Sequence, residues 1–300
     1  MLKKKEISLF LVFFILLFLI LHFFKSSHQP EKPSYKCSDC NVILIVVDAL
    51  RADHLCFHGY TRNTSPFLCE LAKESWLFSN TVSQSGSTME SVSSLFTSKF
   101  PYKDDVINLR GSDKTLTEVL KENGYYTKAI VGHTHVKSVF GFSKGFHEFD
   151  DNFNFTRKAN EITNLAIDWL RNNDKKPFFL WLHYREPHSP YDPPQTYFDM
   201  FYEPFIGDAE YHNYTIYGRE SNVSSETIHN LSIAYDANIR FLDDNLKTLF
   251  EYLNNSGILD DTLIIVTADH GESLGEHFIF DHNDLYYSII HVPLILKHPR

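Results

Sequence analysis

The run NVILIVVD, Asn41 to Asp48, packs Val, Ile and Leu without polar alternation and then stops at a carboxylate. A short β-branched run of this kind fits a strand covered on both faces, and such strands belong to parallel sheets flanked by helices. The pattern recurs along the chain. YYTKAIVG ends before His133, PFFLWLHY runs through His183, TLIIVTADHG ends at Asp269 and His270, and VPLILK follows near the last residue. Helical periodicity separates these runs. From Thr227 to Leu253 apolar residues return every three or four positions, one face of a long helix capped by Ser224 or Ser225, with Gly257 just past its end. TSPFLCELAKES predicts a shorter helix with Ser65 as cap and Pro66 at its first position, and SDKTLTEVLKENG predicts another. Strands alternating with helices, without internal repeats, predict an α/β fold: a doubly wound, mostly parallel sheet sandwiched by helices.

That architecture also locates the chemistry, because open parallel sheets collect ligands at the carboxyl ends of their strands. Asp48 ends one strand, His133 and His135 follow another, His183 and His188 a third, and Asp269 and His270 a fourth. Packing explains one such residue; four strands delivering carboxylate or imidazole to one edge point to a divalent metal such as zinc or manganese. Sixteen histidines are present, and only those beside carboxylates at strand ends carry this weight. A formal charge of −10 excludes broad nucleic-acid binding, which needs clustered Lys and Arg. The bland reading of Asp269 and His270 is a tight turn after a strand, with Gly271 supplying backbone freedom.

The N-terminus differs. Lys3, Lys4 and Lys5 precede an almost unbroken apolar run from Ile7 to Phe24, long enough to span a hydrocarbon core at a rise of about 1.5 Å per residue. The basic flank predicts that it stays cytoplasmic while the rest is exported. Residues 1–27 therefore read as a signal-anchor or transmembrane helix, with a cleaved signal peptide as the rival; residues 28–40 read as a polar tether and 41–300 as the folded domain. Export agrees with Asn-x-Ser/Thr triplets at Asn63, Asn154, Asn213, Asn222, Asn230 and Asn254, and with Cys37, Cys40, Cys56 and Cys69, whose pairing is not legible. CSDC as half of a zinc site lacks a second ligand pair.

Taken together, VVDALRADH, STMESVSSLFTSKFP, GFSKGFHEFD, LHYREPHSPYDPP and TADHGESLGEHFIFDHNDLYYSIIHVPLILKHP resemble the sulfatase family of the alkaline phosphatase superfamily in order and spacing, from about Asn41 onward. The resemblance implies that Asp48, Asp269 and His270 hold the metal, with Ala49 where the family often has a second Asp and His270 where many members have Asn. The Asp-His pair favours zinc or manganese over calcium or magnesium. Counting back from Pro101 to the family's nucleophile position gives Thr88, which would both attack and ligate the metal. Ser85, Ser87, Ser91, Ser93 and Ser94 then fall to capping and packing. Glu90 and Val92 replace the Pro and Arg of the run that directs formylglycine formation, and threonine has no route to that aldehyde, so no formylglycine is expected.

An unmodified Thr is similar to the nucleophile of phosphoethanolamine transferases in the superfamily, which favours phosphoryl chemistry on an anionic ester of a lipid, glycan or small molecule. The alternatives are a true sulfuric ester hydrolase and a catalytically silent binding protein of the same fold. The resemblance further implies site roles for His135, His188 and His282, with His282 as leaving-group acid. His133 stands where the family has Lys, with a surface role nearly as acceptable. His183 reads as a satisfied core histidine and His277 as structural. The family usually continues past VPLILKHPR, so a domain without the family's C-terminal subdomain is expected.

Overall fold

A computed structural model of the protein describes residues 39–101, 109, 111, 113–202, 218–219 and 223–299. The expected membrane segment, most of the tether, Cys37 and the triplets at Asn213 and Asn222 lie outside the described residues. Among the described residues no helix is long and apolar enough to cross a membrane.

Each uninterrupted apolar run forms a strand. β1 (Asn41–Val47), β2 (Trp76–Val82), β3 (Tyr126–Val131), β4 (Glu148–Asp150), β5 (Phe178–Tyr184), β7 (Thr262–Ala268) and β9 (His291–Lys297) make one sheet in the order β2-β9-β7-β1-β5-β3-β4. Two further two-residue strands, β6 (Gly218–Arg219) and β8 (Ile279–Phe280), pair separately. β4, β3, β5, β1 and β7 are mutually parallel, whereas β9 runs antiparallel to both β7 and β2. The sheet is thus doubly wound and mostly parallel, as the sequence predicts, with β2 and β4 added to the expected strands.

Alternation along β1 divides the core. Ile43, Ile45 and Val47 face the long helices Ala159–Asn172 and Ser225–Asn255, and Leu44 and Val46 face the helix Thr88–Thr97 with Trp181, Val92 and Phe96. Every strand residue of β5 is buried, so it has to be apolar on both faces, and burial of each large side chain contributes about 1.5–3 kcal/mol. The 31-residue helix is capped by Ser224, whose hydroxyl accepts from the Thr227 amide at 3.1 Å, and Gly257 follows it with φ 72°.

The shorter helix at Pro66–Lys73 departs from expectation. Ser65 occupies the cap position, but its side chain makes no cap bond. Asp243, projecting from the long helix, accepts the Phe67 and Leu68 amides at 2.8 Å each. A distant carboxylate therefore does what a local hydroxyl was expected to do, and it ties two elements together. Cys56 and Cys69 are bridged across the same region. Asn230 is 4% exposed on the long helix, which removes it as a glycan acceptor in the folded chain, while Asn63, Asn154 and Asn254 are exposed.

Replacing Asp243 by Ala should cost about 1–2 kcal/mol, the usual cost of losing a cap, read as a lower midpoint in urea unfolding of the full chain. An unchanged midpoint would mean that the two amides find other acceptors.

Candidate active site and metal centre

Register puts three residues at one level. Val47 pairs with Tyr184 on β5 and with Ala268 on β7, so Asp48, Arg185 and Asp269 are the first residues beyond three adjacent strands. This is where the sheet order reverses around β1, the place where open α/β sheets form crevices. The ladder continues one step further through Asp48 N–H to Tyr184 O (2.9 Å) and Asp269 N–H to Val47 O (3.3 Å). Both carboxylates are thereby fixed in position.

Asp269 divides its two oxygens. Oδ1 accepts the amides of Ala49 (3.2 Å) and His270 (2.8 Å), and Oδ2 is buried without a hydrogen-bond partner. Ala49 reaches that oxygen from the left-handed region, φ 58°, a conformation unusual for a residue with a Cβ. The hydroxyl-rich run supports the other side: Ser91 and Ser83 both donate to the Asp269 carbonyl, and Ser85 donates to Glu90. Ser85 and Ser91, two of the serines expected to serve capping and packing, make such structural bonds, and Ser83, not singled out in the sequence, joins them.

Thr88 is the first residue of its helix, where the free amides and helix dipole favour negative charge. It is 1% exposed. Its Oγ lies 3.1 Å from His270 Nε2 and 3.5 Å from Asp48 Oδ1. His270 Nδ1 donates to the Gly271 carbonyl at 2.8 Å, which fixes the tautomer and turns the Nε2 lone pair toward Thr88. His270 Nε2 is 3.5 Å from Asp48 Oδ1 and 3.8 Å from Asp269 Oδ2. Four of the six separations among these donor atoms are 3.1–3.8 Å, near the edge of a tetrahedron around a zinc-sized ion, ~3.3–3.5 Å for bonds of ~2.0–2.1 Å, and the Asp48, Asp269 and His270 ligand atoms all lie within 4.8 Å of one another. The orphaned Asp269 oxygen and the donor chemistry therefore fit the expected metal.

The charges agree. Burial, and then the neighbouring Asp269 carboxylate, push Asp48 well above the usual carboxylate range. Burial also acts against Asp269, but His270 and His183 hold it down at about 2. Burial keeps His270 and His133 neutral, each at about 4. Two buried carboxylates facing neutral imidazoles need a cation between them.

Histidine rings line the rest of the edge. His282 stacks on His270 with ring centres 4.3 Å apart and lies 4.9 Å from His188, which lies 4.9 Å from His133. His188 Nδ1 donates to the Ser189 carbonyl and His282 Nδ1 to the Gly86 carbonyl (2.8 Å), so both present Nε2 to the crevice. Gly86 allows that close approach, since a Cβ there would stand 2.0 Å from the His282 carbonyl oxygen. Burial alone would lower His282, yet buried Glu272, the Gly86 carbonyl and Asp48 together raise it. Glu272 itself is pushed up to about 7 by burial. The segment 269–290 that carries Glu272 and His282 is zipped to itself by Gly271 N–H to Ile289 O, Ser273 N–H to Asp281 O and Gly275 N–H to Ile279 O.

The sequence leaves His133 between a site and a surface role and reads His183 as a satisfied core histidine. His133 is 7% exposed, with Nδ1 2.8 Å from Asp48 Oδ2, and is no surface residue. His183 is fully buried but not satisfied: neither ring nitrogen has a hydrogen-bond partner, and Nε2 faces Asp269 Oδ2 at 3.6 Å. His135 stands at the exposed rim against the His133 ring, 4.8 Å between centres, and His277 stacks on Tyr286. Glu272 and Arg185 were not singled out in the sequence; Glu272 sits two positions after His270, and Arg185 directly follows the β5 run.

Known proteins give the same frame. A sulfatase family model matches residues 40–300. An arylsulfatase of Clostridium perfringens is 25% identical over 86% of this chain and 68% of its own length, and the phosphatidylethanolamine transferase Mcr-2 of Escherichia coli is 25% identical over 86% and 47%. The chain thus spans about half to two thirds of these relatives. Among solved structures, the phosphonate monoester hydrolase of Agrobacterium radiobacter superposes with a TM-score of 0.72 at 20% identity, covering 87% of this chain and 68% of that one. The soluble domain of the lipooligosaccharide phosphoethanolamine transferase A of Neisseria meningitidis gives 0.67 at 20%, covering 86% and 77%. With the matched segment taking in the strand edge, Thr88 and the histidine-lined crevice, the chain belongs to the sulfatase family, an enzyme family of ester hydrolases and phosphotransferases.

Proposed function

We infer that the protein is a metal-dependent enzyme that cleaves or transfers a phosphate ester with Thr88 as an unmodified nucleophile, anchored by its apolar N-terminal segment with the domain outside the cytoplasm. The observation that carries this reading is Thr88 Oγ itself, buried at a helix start and within 3.1–3.5 Å of His270 and Asp48. A secondary alcohol there supports direct attack on phosphorus and leaves no route to an aldehyde. The named relatives include both sulfatases and phosphatidylethanolamine transferases, so sulfate is the competing ester.

Asp48, Thr88, Asp269 and His270 would hold the divalent ion, zinc or manganese by donor chemistry; when bound, it supplies Lewis acidity that lowers the Thr88 pKa and polarises the ester. The neighbouring side chains do the rest. Thr88 Oγ forms the bond to phosphorus while the bond to the ester oxygen breaks. His282 Nε2–H protonates that leaving oxygen, the role its raised pKa favours. Water or an acceptor alcohol then attacks phosphorus, giving its proton back to His282 as the Thr88 Oγ–P bond breaks and the Thr88 alkoxide is restored. His188, with Nδ1 tied to Ser189, orients its Nε2 toward the anionic oxygens. His135, at the rim, is placed to meet the incoming ester.

Purified full chain with zinc or manganese should turn over an aryl phosphodiester or phosphomonoester, and Thr88→Ala should lose on the order of 10⁴-fold or more. Sulfate release dependent on Thr88, without phosphate turnover, would overturn the phosphoryl reading. Because His282 acts in its protonated form and its pKa is raised, kcat/KM should fall as pH rises through that pKa. His282→Gln should remove this alkaline limb and lower kcat by about 10²–10⁴-fold on an unactivated ester. An alkaline limb that survives would assign the acid to another group.

A further inference from the structure

The edge opposite the crevice is where β1, β3 and β5 begin, and the described chain enters it at Asp39. Tyr126 and Phe178, the first residues of β3 and β5, lie side by side, and the Tyr126 amide donates to the Pro177 carbonyl at 2.9 Å. Beside these strand starts lies an open cleft of about 360 Å³. Its polar groups are mostly donors. Lys121 comes from the last turn of the helix Leu116–Glu122, Lys175 and Lys176 from the loop before β5, and His147 from just before β4. The His147 ring stacks on Tyr126, 4.7 Å between centres, and its Nδ1 accepts the Thr127 amide at 3.1 Å, which leaves the ring proton on Nε2. Asp174 is the one carboxylate of the lining and pairs with Lys175 at 2.7 Å. Lys121 and Lys176 make no ion pair among the described residues.

On a chain of formal charge −10, three ammonium groups around one carboxylate stand out, and an anion would offset their mutual repulsion. The tether ends beside them: burial, and then the nearby Asp39 carboxylate, push the Tyr125 hydroxyl up. Residues 28–40 reach at most about 45 Å when extended. Turning the crevice to the membrane would use about 23 Å of that reach along the seven residues of β1, whereas turning the amino edge to it uses none. We propose that this cleft binds phosphate headgroups of the bilayer that the apolar run Ile7–Phe24 spans, seating the amino edge of the sheet on the membrane with the crevice facing away. The proposal rests on the anchored reading above. Lysines near a lipid surface each strengthen its binding about fivefold, and Tyr125 and Tyr126 are amphipathic rings of the kind that settle at headgroup level. The ester then has to arrive at Thr88 from the aqueous side.

The test is a lysine footprint on the full chain. Acetylation by a water-soluble succinimidyl ester would be read residue by residue by mass spectrometry, in phosphatidylglycerol nanodiscs and in dodecyl maltoside, a detergent without phosphate. Lys121, Lys175 and Lys176 should label about tenfold more slowly in the discs, while Lys73 and Lys247, exposed elsewhere, label alike in both. Molar salt should restore labelling. In the double variant Lys121→Gln with Lys176→Gln, Lys175 should lose its protection, with circular dichroism confirming the fold. Equal labelling of the cleft lysines in discs and detergent would overturn the site, and so would equal protection of Lys73 and Lys247, which reports general adsorption. Protection by inorganic phosphate in detergent as strong as that in discs would also overturn it, by making the ligand a free anion. Release of the chain from membranes by alkaline carbonate would sink the anchored reading and this one with it, whereas a carbonate-resistant chain with unprotected lysines loses only the headgroup site.

Discussion

The structure turns on a carboxylate with no access to solvent. Asp48 sits at the end of the central strand, pushed toward its neutral form by burial and by the second carboxylate beside it. A group so placed has to be compensated, and no Lys or Arg side chain is paired with it in an ion pair among the described residues. The nearest neighbours are imidazoles, a threonine hydroxyl and the other carboxylate, all of them good ligands. The sheet has spent its most rigid position on an arrangement that is unfavourable until a cation arrives. That is the signature of a site built for a ligand rather than for stability.

Everything nearby serves to hold that arrangement still. Two amides fix one oxygen of Asp269, two serines hold its carbonyl, and backbone carbonyls of Gly86, Ser189 and Gly271 orient three imidazoles through their Nδ1 atoms. The imidazoles are thus oriented by main chain and not by other titratable groups, so their tautomers survive changes in the charge of the crevice. Orientation comes from the fold; reactivity comes from what the fold leaves unpaired.

Much of this was legible in the sequence because a parallel strand covered on both faces has to be apolar throughout, and a residue that ends such a run lands on the functional edge. Asp48, Asp269 and His270 were found that way, and Thr88 by resemblance. Side-chain direction was not legible. His133 and His183 lie one or two positions from strand ends, where a small change in backbone course decides between solvent, core and site; the sequence leaves His133 between site and surface and reads His183 as satisfied. β2 was missed because WLFSNTV mixes polar and apolar residues as an exposed edge strand does, and β4 because three residues carry no period. Ser65 looked like a cap because local sequence cannot show Asp243 arriving from another helix. Asn230 looked like a glycan acceptor because a triplet carries no information about burial.

The antiparallel β9 has an evolutionary consequence. Since it enters the sheet from the catalytic edge, residues 269–290 leave that edge and return to it, pinned at both ends by neighbouring strands and closed by their own backbone bonds. This excursion is a cassette. Its length and composition can drift without shifting the register of any strand, while its first residues keep the metal pair and its interior supplies Glu272 and His282. Selection can therefore rewrite the crevice wall one loop at a time while the strand ends that hold Asp48 and Asp269 stay unaltered.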